Sequence, residues 1–205
     1  MKKEQAALAA IEFKSVPAGL YAADALMKKA PIAMLKAGTI GCGKYFVVFT
    51  GTTASVEEAR EEGLFEGGLQ VADELLLPDI HEDLYAALAG EPMKMGEGAL
   101  FVLETPSVAT CLLAVERMLK GVPVRLVELR LGDPRMAGKG LAIVQGELFD
   151  VEAAQEIALG VTEGRGVAAQ SRLLSAPTPF ILQQIASSTR FDRVEPVRLD
   201  GETAS

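Results

Sequence analysis

The sequence lacks tryptophan, contains one histidine and two cysteines, and is only 5% aromatic. Two cysteines, Cys42 and Cys111, are too few for a disulfide framework, which indicates a reducing, cytosolic compartment. The sequence also contains no phosphate-binding loop, no paired carboxylates and no pattern of nucleophile and base, so an enzyme is the least favoured class. The hydrophobic residues make up 49% of the chain and are mostly aliphatic, which predicts a compact aliphatic core.

Positive charge is scarce as well, since the formal net charge is −8. Without a cluster of lysine and arginine the chain is a poor ligand for nucleic acid or for an anionic membrane surface. No apolar run approaches the ~18–20 residues of a spanning helix. Glu4 and Glu12 interrupt the segment that follows the N-terminal lysines, which argues against a secretory signal.

The most informative feature is an internal repeat. Ile11-Glu12 recurs as Leu103-Glu104, 92 residues later, and Lys28 and Pro31 recur at the same offset. From Gly43-Lys44 onward the offset is 95, which places a short insertion in the second copy within residues 132–137. The conserved order of charged, glycine and proline positions indicates a duplicated domain.

Each copy reads as strand, helix, strand, strand, helix, strand and short helix. In the first copy the strands are predicted at 7–13, 32–39, 44–50 and 70–77, and the helices at 16–30, 55–67 and 81–88. Ser15 is expected to cap the first helix, and Pro31 lies just past its end. The fold class is therefore α/β (α+β), with mostly antiparallel sheets and helices on one face. Predicted domains span 1–90 and 99–187, with a linker at 91–98 and a polar, partly disordered tail at 188–205.

The first copy resembles the shell domain of bacterial microcompartments over almost its entire length. The resemblance rests on four segments of the first copy, some of which recur in the second: an opening strand at 7–12, a helix end at 23–28, a glycine loop at 39–43 and a turn into a short helix at 79–84. The order of elements resembles the tandem-domain class that is not circularly permuted. The fold implied by the resemblance is a small ferredoxin-like domain in two copies.

The resemblance implies a homotrimer of hexagonal outline, located in a microcompartment shell in the bacterial cytoplasm, with other shell proteins at its edges. A sheet with an unpaired edge strand invites lateral association, and closed cyclic symmetry is its usual outcome. Encapsulated redox enzymes are expected as further partners, and nucleic acid and membranes are not. Lys28 and Lys120 are implied to lie at the rim and contact neighbouring tiles; the alternative is that they only complement the C-terminal dipoles of their helices.

In the family the glycine loop lines a central pore, which here implies Gly41, Cys42, Gly43 and Lys44 as pore-lining residues. A subclass found in propanediol-utilisation compartments holds a [4Fe–4S] cluster between three cysteines of this loop. It has the pattern Cys-Pro-Gly-Lys, whereas this chain has Gly-Cys-Gly-Lys, which displaces the cysteine by one position. Cys42 is thus the candidate metal ligand of a cluster shared by three subunits. The alternative is that Cys42 is a small pore-lining side chain.

The remaining candidates have simpler interpretations. Cys111 is expected to pack inside a helix, and His81 to act as a helix cap or an interface residue. Lys44 either raises the potential of the pore or is solvated, and the inserted residues 133–136 are expected to narrow the pore or fold over it. A structural shell tile with a pore that can carry electrons is the favoured function. A small trimeric metabolite-binding regulator and a tile with a plain metabolite pore are the alternatives.

Overall fold

Each repeat folds into a four-stranded antiparallel sheet with two long helices and one short helix. The computed structural model describes residues 7–196 and 201, except for the side chains of residues 34 and 35. The first repeat contains β1 (Ala7–Phe13), α1 (Val16–Lys29), β2 (Ala33–Ile40), β3 (Lys44–Gly51), α2 (Thr53–Gly67), β4 (Val71–Leu77) and α3 (Glu82–Leu88). The second contains β5 (Ala99–Thr105), α4 (Val108–Gly121), β6 (Arg125–Leu131), β7 (Gly140–Gly146), α5 (Leu148–Gly164), β8 (Gln170–Leu174) and α6 (Pro179–Ser187).

The two sheets have the same strand order. It is β2-β3-β1-β4 in the first repeat and β6-β7-β5-β8 in the second. The predicted α+β class with two tandem copies is thus confirmed, and the predicted strand bounds agree with the observed ones to within one residue in the first copy. No described helix is long and apolar enough to cross a membrane.

The first sheet is buried on both faces, and every residue of β1 is buried. One face packs against α1 and α2 through alternating residues that include Ile11, Phe13 and Phe49. The opposite face, with Leu8, Ala10 and other residues, belongs to a core shared with α4 of the second repeat. Since a fully buried Leu or Phe side chain contributes roughly 1.5–3 kcal/mol, this shared core joins the two repeats firmly.

At one contact between a helix and a strand, the two repeats place glycine on opposite sides. Glycine is on the helix in the first repeat and on the strand in the second. In the first repeat Gly19 of α1 lies against Tyr45 of β3, and an added Cβ at Gly19 would come within 2.5 Å of the tyrosine Cβ. In the second repeat the equivalent positions hold Cys111 and Gly140, and an added Cβ at Gly140 would come within 2.5 Å of the cysteine Cβ. Each pair therefore has room for only one side chain.

Capping differs from the expectation in one place. Ser15 occupies the N-cap position of α1, but its side chain makes no capping hydrogen bond. The equivalent Ser107 does cap α4, because its Oγ accepts a hydrogen bond from the backbone N–H of Thr110 at 3.0 Å. The tail is turn-like where it is described up to residue 196, and the rest of the predicted tail apart from residue 201 lies outside the described residues.

Candidate functional site

The candidate pore loop is a single 3₁₀ turn, Gly41–Gly43, between β2 and β3. Cys42 has φ 62° and ψ 27°, and Gly43 has φ 70°, so two consecutive residues adopt the left-handed conformation, which is uncommon for a cysteine. Gly41 cannot be replaced without movement of the backbone, since an added Cβ would lie 2.2 Å from the Gly138 nitrogen. The turn therefore depends on both glycines that flank Cys42.

The turn packs directly against the equivalent loop of the second repeat. The Gly41 N–H donates a hydrogen bond to the Gly132 carbonyl at 3.0 Å, and the Cys42 thiol donates to the Ala137 carbonyl at 3.2 Å. Ala137 is also left-handed, with φ 52°. The insertion predicted at 132–137 thus lies next to Cys42, and its short turn, Pro134–Met136, forms one surface with the candidate pore loop.

The two cysteines have opposite environments. Cys42 is exposed and Cys111 is fully buried. Burial raises the pKa of the Cys111 thiol to about 12, an effect only partly offset by its hydrogen bond with Thr105. Cys111 is a packed core residue, as the sequence predicts, and Cys42 is the accessible thiol. Within the described residues of one chain, no group of three or more His, Cys, Asp or Glu side chains is arranged to hold a metal.

Lys44 follows the turn but its charge is already paired. Its ammonium group donates to the Glu12 Oε1 at 2.7 Å and to the Pro106 carbonyl at 3.3 Å. Glu12 is only 1% exposed, and its Oε2 accepts from the Val108 N–H at 2.8 Å, at the start of α4. Lys44 and Glu12 therefore belong to the seam between the repeats, where a carboxylate also suits the positive end of a helix.

A second carboxylate strengthens the same seam. Asp73 of β4 accepts hydrogen bonds from Ser107 and Thr110 of the second repeat and from the Arg165 guanidinium. Burial alone would raise the pKa of Asp73, but these three hydrogen bonds outweigh it and lower the pKa below its ordinary value. Sequence reasoning missed this network, since its members come from positions far apart that carry no shared motif.

The two candidate rim lysines have different contacts. The Lys28 side chain is 73% exposed and, within the described part of the chain, pairs only with Asp24, one turn earlier on α1. The Lys120 side chain is 39% exposed and lies 2.8 Å from the Glu116 carboxylate and 3.4 Å from that of Asp79. Burial alone would lower the pKa of Lys120. Its contacts with Glu116 and Asp79 raise the pKa by more than burial lowers it, so the net change is upward. Contact with a neighbouring tile remains a prediction for both.

The single histidine is a helix cap. The His81 Nδ1 accepts a hydrogen bond from the Asp83 N–H at 3.2 Å, at the first turn of α3. Its own backbone N–H donates to the buried Glu116 carboxylate at 3.0 Å. Of the two roles expected from the sequence, a cap or an interface residue, His81 has the capping one. Its backbone N–H and the Lys120 ammonium together partner the buried Glu116 carboxylate.

Comparison with known proteins agrees with the fold. The BMC domain family matches residues 7–80 and 99–176. The chain is 28% identical to the bacterial microcompartment shell protein PduT of Citrobacter freundii over 179 residues, which cover 87% of this chain and 97% of that protein.

Two solved structures are similar as well. A microcompartment protein from Desulfitobacterium hafniense has a TM-score of 0.76 and 26% identity, and the match covers 88% of this chain and 99% of that one. The fused permuted hexameric shell protein of the RMM microcompartment has a TM-score of 0.58 and 21% identity over 80% of this chain and 87% of that one, which is a likeness of fold alone. With two matched domains and this fold, the chain belongs to the BMC-domain family and is a tandem-domain shell protein of bacterial microcompartments.

Proposed function

We propose that three copies of the chain close into a ring of hexagonal outline, which forms one shell tile with the three Cys42 loops around its central pore. The observation that carries this proposal is a face of α1 that has no partner among the residues that the structure describes. Leu20, Tyr21 and Met27 on this face are 53%, 62% and 45% exposed. Their repeat equivalents on α4 are Leu112, Leu113 and Leu119, of which Leu112 and Leu119 are buried in the core shared with the first sheet.

The second sheet offers the complementary surface. Its residues Val102, Leu141 and Leu174 are partly exposed, whereas the equivalent residues of the first sheet lie in the shared core. In the ring, α1 of one copy packs on the exposed face of the second sheet of the next copy. This contact repeats the one that α4 makes with the first sheet inside each chain. Because this contact is heterologous, its repetition closes into a ring when the rotation per domain is a sixth of a turn.

A pair of matched variants tests the ring. Leu20→Asp places a charge in the proposed interface between copies and should give folded monomers by sedimentation, because the side chain is largely exposed within the chain. Leu112→Asp places the same charge at the equivalent buried position and should unfold the chain, at a cost of several kcal/mol. A wild-type monomer or dimer, or a Leu20→Asp trimer as stable as wild type, would contradict the ring.

We also propose that the three Cys42 thiolates bind one [4Fe–4S] cluster on the axis of the ring. The residues fit such a group in one respect: a soft, exposed thiol stands at the tip of a tight turn, and thiolates are the usual cluster ligands. The single thiol fits only if three chains converge, and a fourth iron ligand has to come from outside the chain. A bound cluster would supply one-electron transfer between the two sides of the shell.

Within the chain, the Ala137 carbonyl holds the Cys42 thiol before any metal binds. Deprotonation of the thiol removes this hydrogen bond, so loading of the cluster should loosen the contact between the two loops. The turn that positions the thiol depends on the two flanking glycines, because Gly43 has φ 70° and an added Cβ at Gly41 would meet the Gly138 backbone.

The cluster is tested by anaerobic reconstitution with iron and sulfide. Wild-type protein should absorb broadly near about 400 nm and bind roughly four irons per trimer. Cys42→Ser should do neither yet remain trimeric, and Cys111→Ala should behave as wild type because Cys111 is buried. Equal iron uptake by wild type and Cys42→Ser, or none by either, would leave Cys42 as the lining of a plain metabolite pore.

A further inference from the structure

A cleft of about 350 Å³ lies between the edge strands β2 and β6, where the two repeats meet. This volume is within the range of small-molecule sites. The end of α3 and Arg190 of the tail close its sides. The apolar part of its lining is formed by residues of both repeats: Ile40, Phe46, Val48, Ala87, Leu88, Leu129 and Leu131.

The polar part of the lining is mostly cationic. Among the described lining residues, Lys36, Arg130 and Arg190 are positive and Asp133 is negative. The positive charge of Arg130 is already paired with Glu128, because the Arg130 Nε donates a hydrogen bond to that carboxylate. Lys36 makes no ion pair within the part of the chain that the structure describes. In a protein with a net charge of −8, the cleft is thus a local site of positive charge.

Asp133 and Arg190 leave polar groups unsatisfied beside the cleft. Asp133 is 8% exposed, and its Oδ2 accepts no hydrogen bond from the residues described. The nearest cationic atoms are the Arg190 Nη2 at 3.4 Å and the Arg130 Nη1 at 3.8 Å. The Arg190 guanidinium donates no hydrogen bond to the described residues, although it carries five N–H groups. Arg190 therefore keeps donors for a further acceptor.

The position of Arg190 is fixed by contacts of the tail on both sides of it. Thr189 donates to the Glu128 carboxylate at 2.6 Å, and the Asp192 carboxylate accepts from the Arg135 guanidinium at 2.6 Å. These contacts hold the backbone on both sides of Arg190 before a ligand binds. Less conformational entropy is then lost when the Arg190 side chain binds a ligand.

Lys36 is not required by the fold. The equivalent position of the second repeat is Glu128, and both residues follow a bulge in the register of their edge strand. A position that accepts either charge in the same local structure is free to be used for binding. The lysine stands in the first repeat, on the strand that borders the cleft.

We propose that this cleft binds a small organic anion, whose carboxylate or phosphate lies between Lys36 and Arg190 and whose short apolar chain packs on Ile40, Phe46 and Leu131. A guanidinium and an ammonium suit such a head group, because charge-assisted hydrogen bonds are the strong ones. The cleft adjoins the candidate pore loop, since Ile40 and Gly132 line it and the Gly41 N–H bonds to the Gly132 carbonyl. Binding here needs neither the cluster nor the ring.

Saturation-transfer NMR on the full chain tests the proposal with four probes. Butyrate and butyl phosphate carry both parts of the ligand, and their comparison tells which head group is preferred. 1-Butanol lacks the charge and inorganic phosphate lacks the apolar chain. We expect saturable binding of at least one organic anion, weaker binding of inorganic phosphate, and no saturable signal from 1-butanol.

Three variants locate the binding. Lys36→Glu, which mimics the second repeat, and Arg190→Gln should each weaken binding by about tenfold or more. Lys94→Glu makes the same charge change at an exposed linker position and should bind as wild type does. Circular dichroism checks that each variant is folded. The proposal is overturned if no organic anion saturates, if 1-butanol or inorganic phosphate binds equally well, or if Lys36→Glu and Arg190→Gln bind like Lys94→Glu.

Discussion

At the scale of single residues, burial divides the two thiols more sharply than their sequence contexts do. Cys42 lies between two glycines and stands on an exposed left-handed turn, whereas Cys111 lies between Thr110 and Leu112 and is enclosed by a helix and a sheet. Only the thiolate is nucleophilic. The burial of Cys111 and its raised pKa both make that thiol unreactive. Cys42 is therefore the one reactive thiol of each chain.

We predict that one thiol per chain reacts with a disulfide reagent in native, metal-free protein at pH 8. Cys111 should stay inert because its pKa is about 12 and its side chain has no exposed surface. Denaturation should release the second thiol, and Cys42→Ser should leave none reactive in the native state. Absorbance of the released reagent counts the thiols. Two reactive thiols in the folded chain would show that Cys111 is accessible.

The lowered pKa of Asp73 makes the seam between the repeats sensitive to acid. A carboxyl whose pKa is lower in the folded chain stabilises it above the unfolded pKa, and that contribution is lost as the pH falls through the folded value. Asp73→Asn should lower the free energy of unfolding at pH 7 by about 2 kcal/mol, since hydrogen bonds to a charged group are lost.

The difference between wild type and Asp73→Asn should shrink once the pH falls below 3.8, the ordinary value for this carboxyl. Urea denaturation at pH 7 and at pH 3 measures it. A control at a surface carboxyl, Asp83→Asn, should show a smaller difference at pH 7 because that residue is exposed. A difference for Asp73→Asn that is the same at both pH values would indicate that charge has no part in the seam.

At the scale of elements, the exchanged pair of small and large residues specifies how each helix sits on its sheet. Gly19→Cys copies the second repeat into the first and should destabilise the chain by about 1–3 kcal/mol, because the new side chain overlaps Tyr45. Tyr45→Gly alone leaves a cavity and weakens a strand. The double variant should be more stable than the sum of the two changes predicts.

A double-mutant cycle by urea denaturation measures this coupling, with about 0.5–3 kcal/mol expected in favour of the double variant. Gly38→Cys serves as a control, because nothing lies within 4 Å of an added Cβ there and no coupling with Tyr45→Gly is expected. Strict additivity of Gly19→Cys and Tyr45→Gly would show that the helix shifts to accommodate both.

The elements themselves were predictable because the duplication provides two sequences for each one. The strands at 7–13 and 44–50 alternate or run apolar in both copies, and the observed strands match them. The contacts between elements were not predictable. Ser15 and Ser107 look alike in sequence, but only Ser107 meets Asp73 and Glu12 across the seam, because α4 and not α1 packs on the first sheet. The lining of the cleft likewise depends on the folded tail.

At the scale of the whole molecule, the rim lysines should separate assembly from stability. Lys28→Ala should leave unfolding and the trimer unchanged but abolish ordered sheets, because its only partner within the described chain is an exposed aspartate and such pairs contribute about 0–1 kcal/mol. Lys120→Ala should also lower the unfolding temperature, since it leaves the buried Glu116 without its cation. Electron micrographs and thermal unfolding measure the two effects.

Normal sheets from the double variant of Lys28 and Lys120 would remove both residues from the tile edge. An unchanged unfolding temperature for Lys120→Ala would instead indicate that the hydrogen bond from the His81 backbone N–H is sufficient for Glu116. The two readouts are independent, so either part can fail alone.

The covered first sheet and the free second sheet have a consequence for the order of assembly. In the proposed ring, every second contact between domains is already made when the chain folds, and the linker keeps those two domains at a high effective concentration. By mass action, the yield of rings then varies with the third power of the free chain concentration, whereas six separate domains would require the sixth power. Duplication therefore lets a scarce shell component form complete rings at dilutions where single domains would remain dispersed.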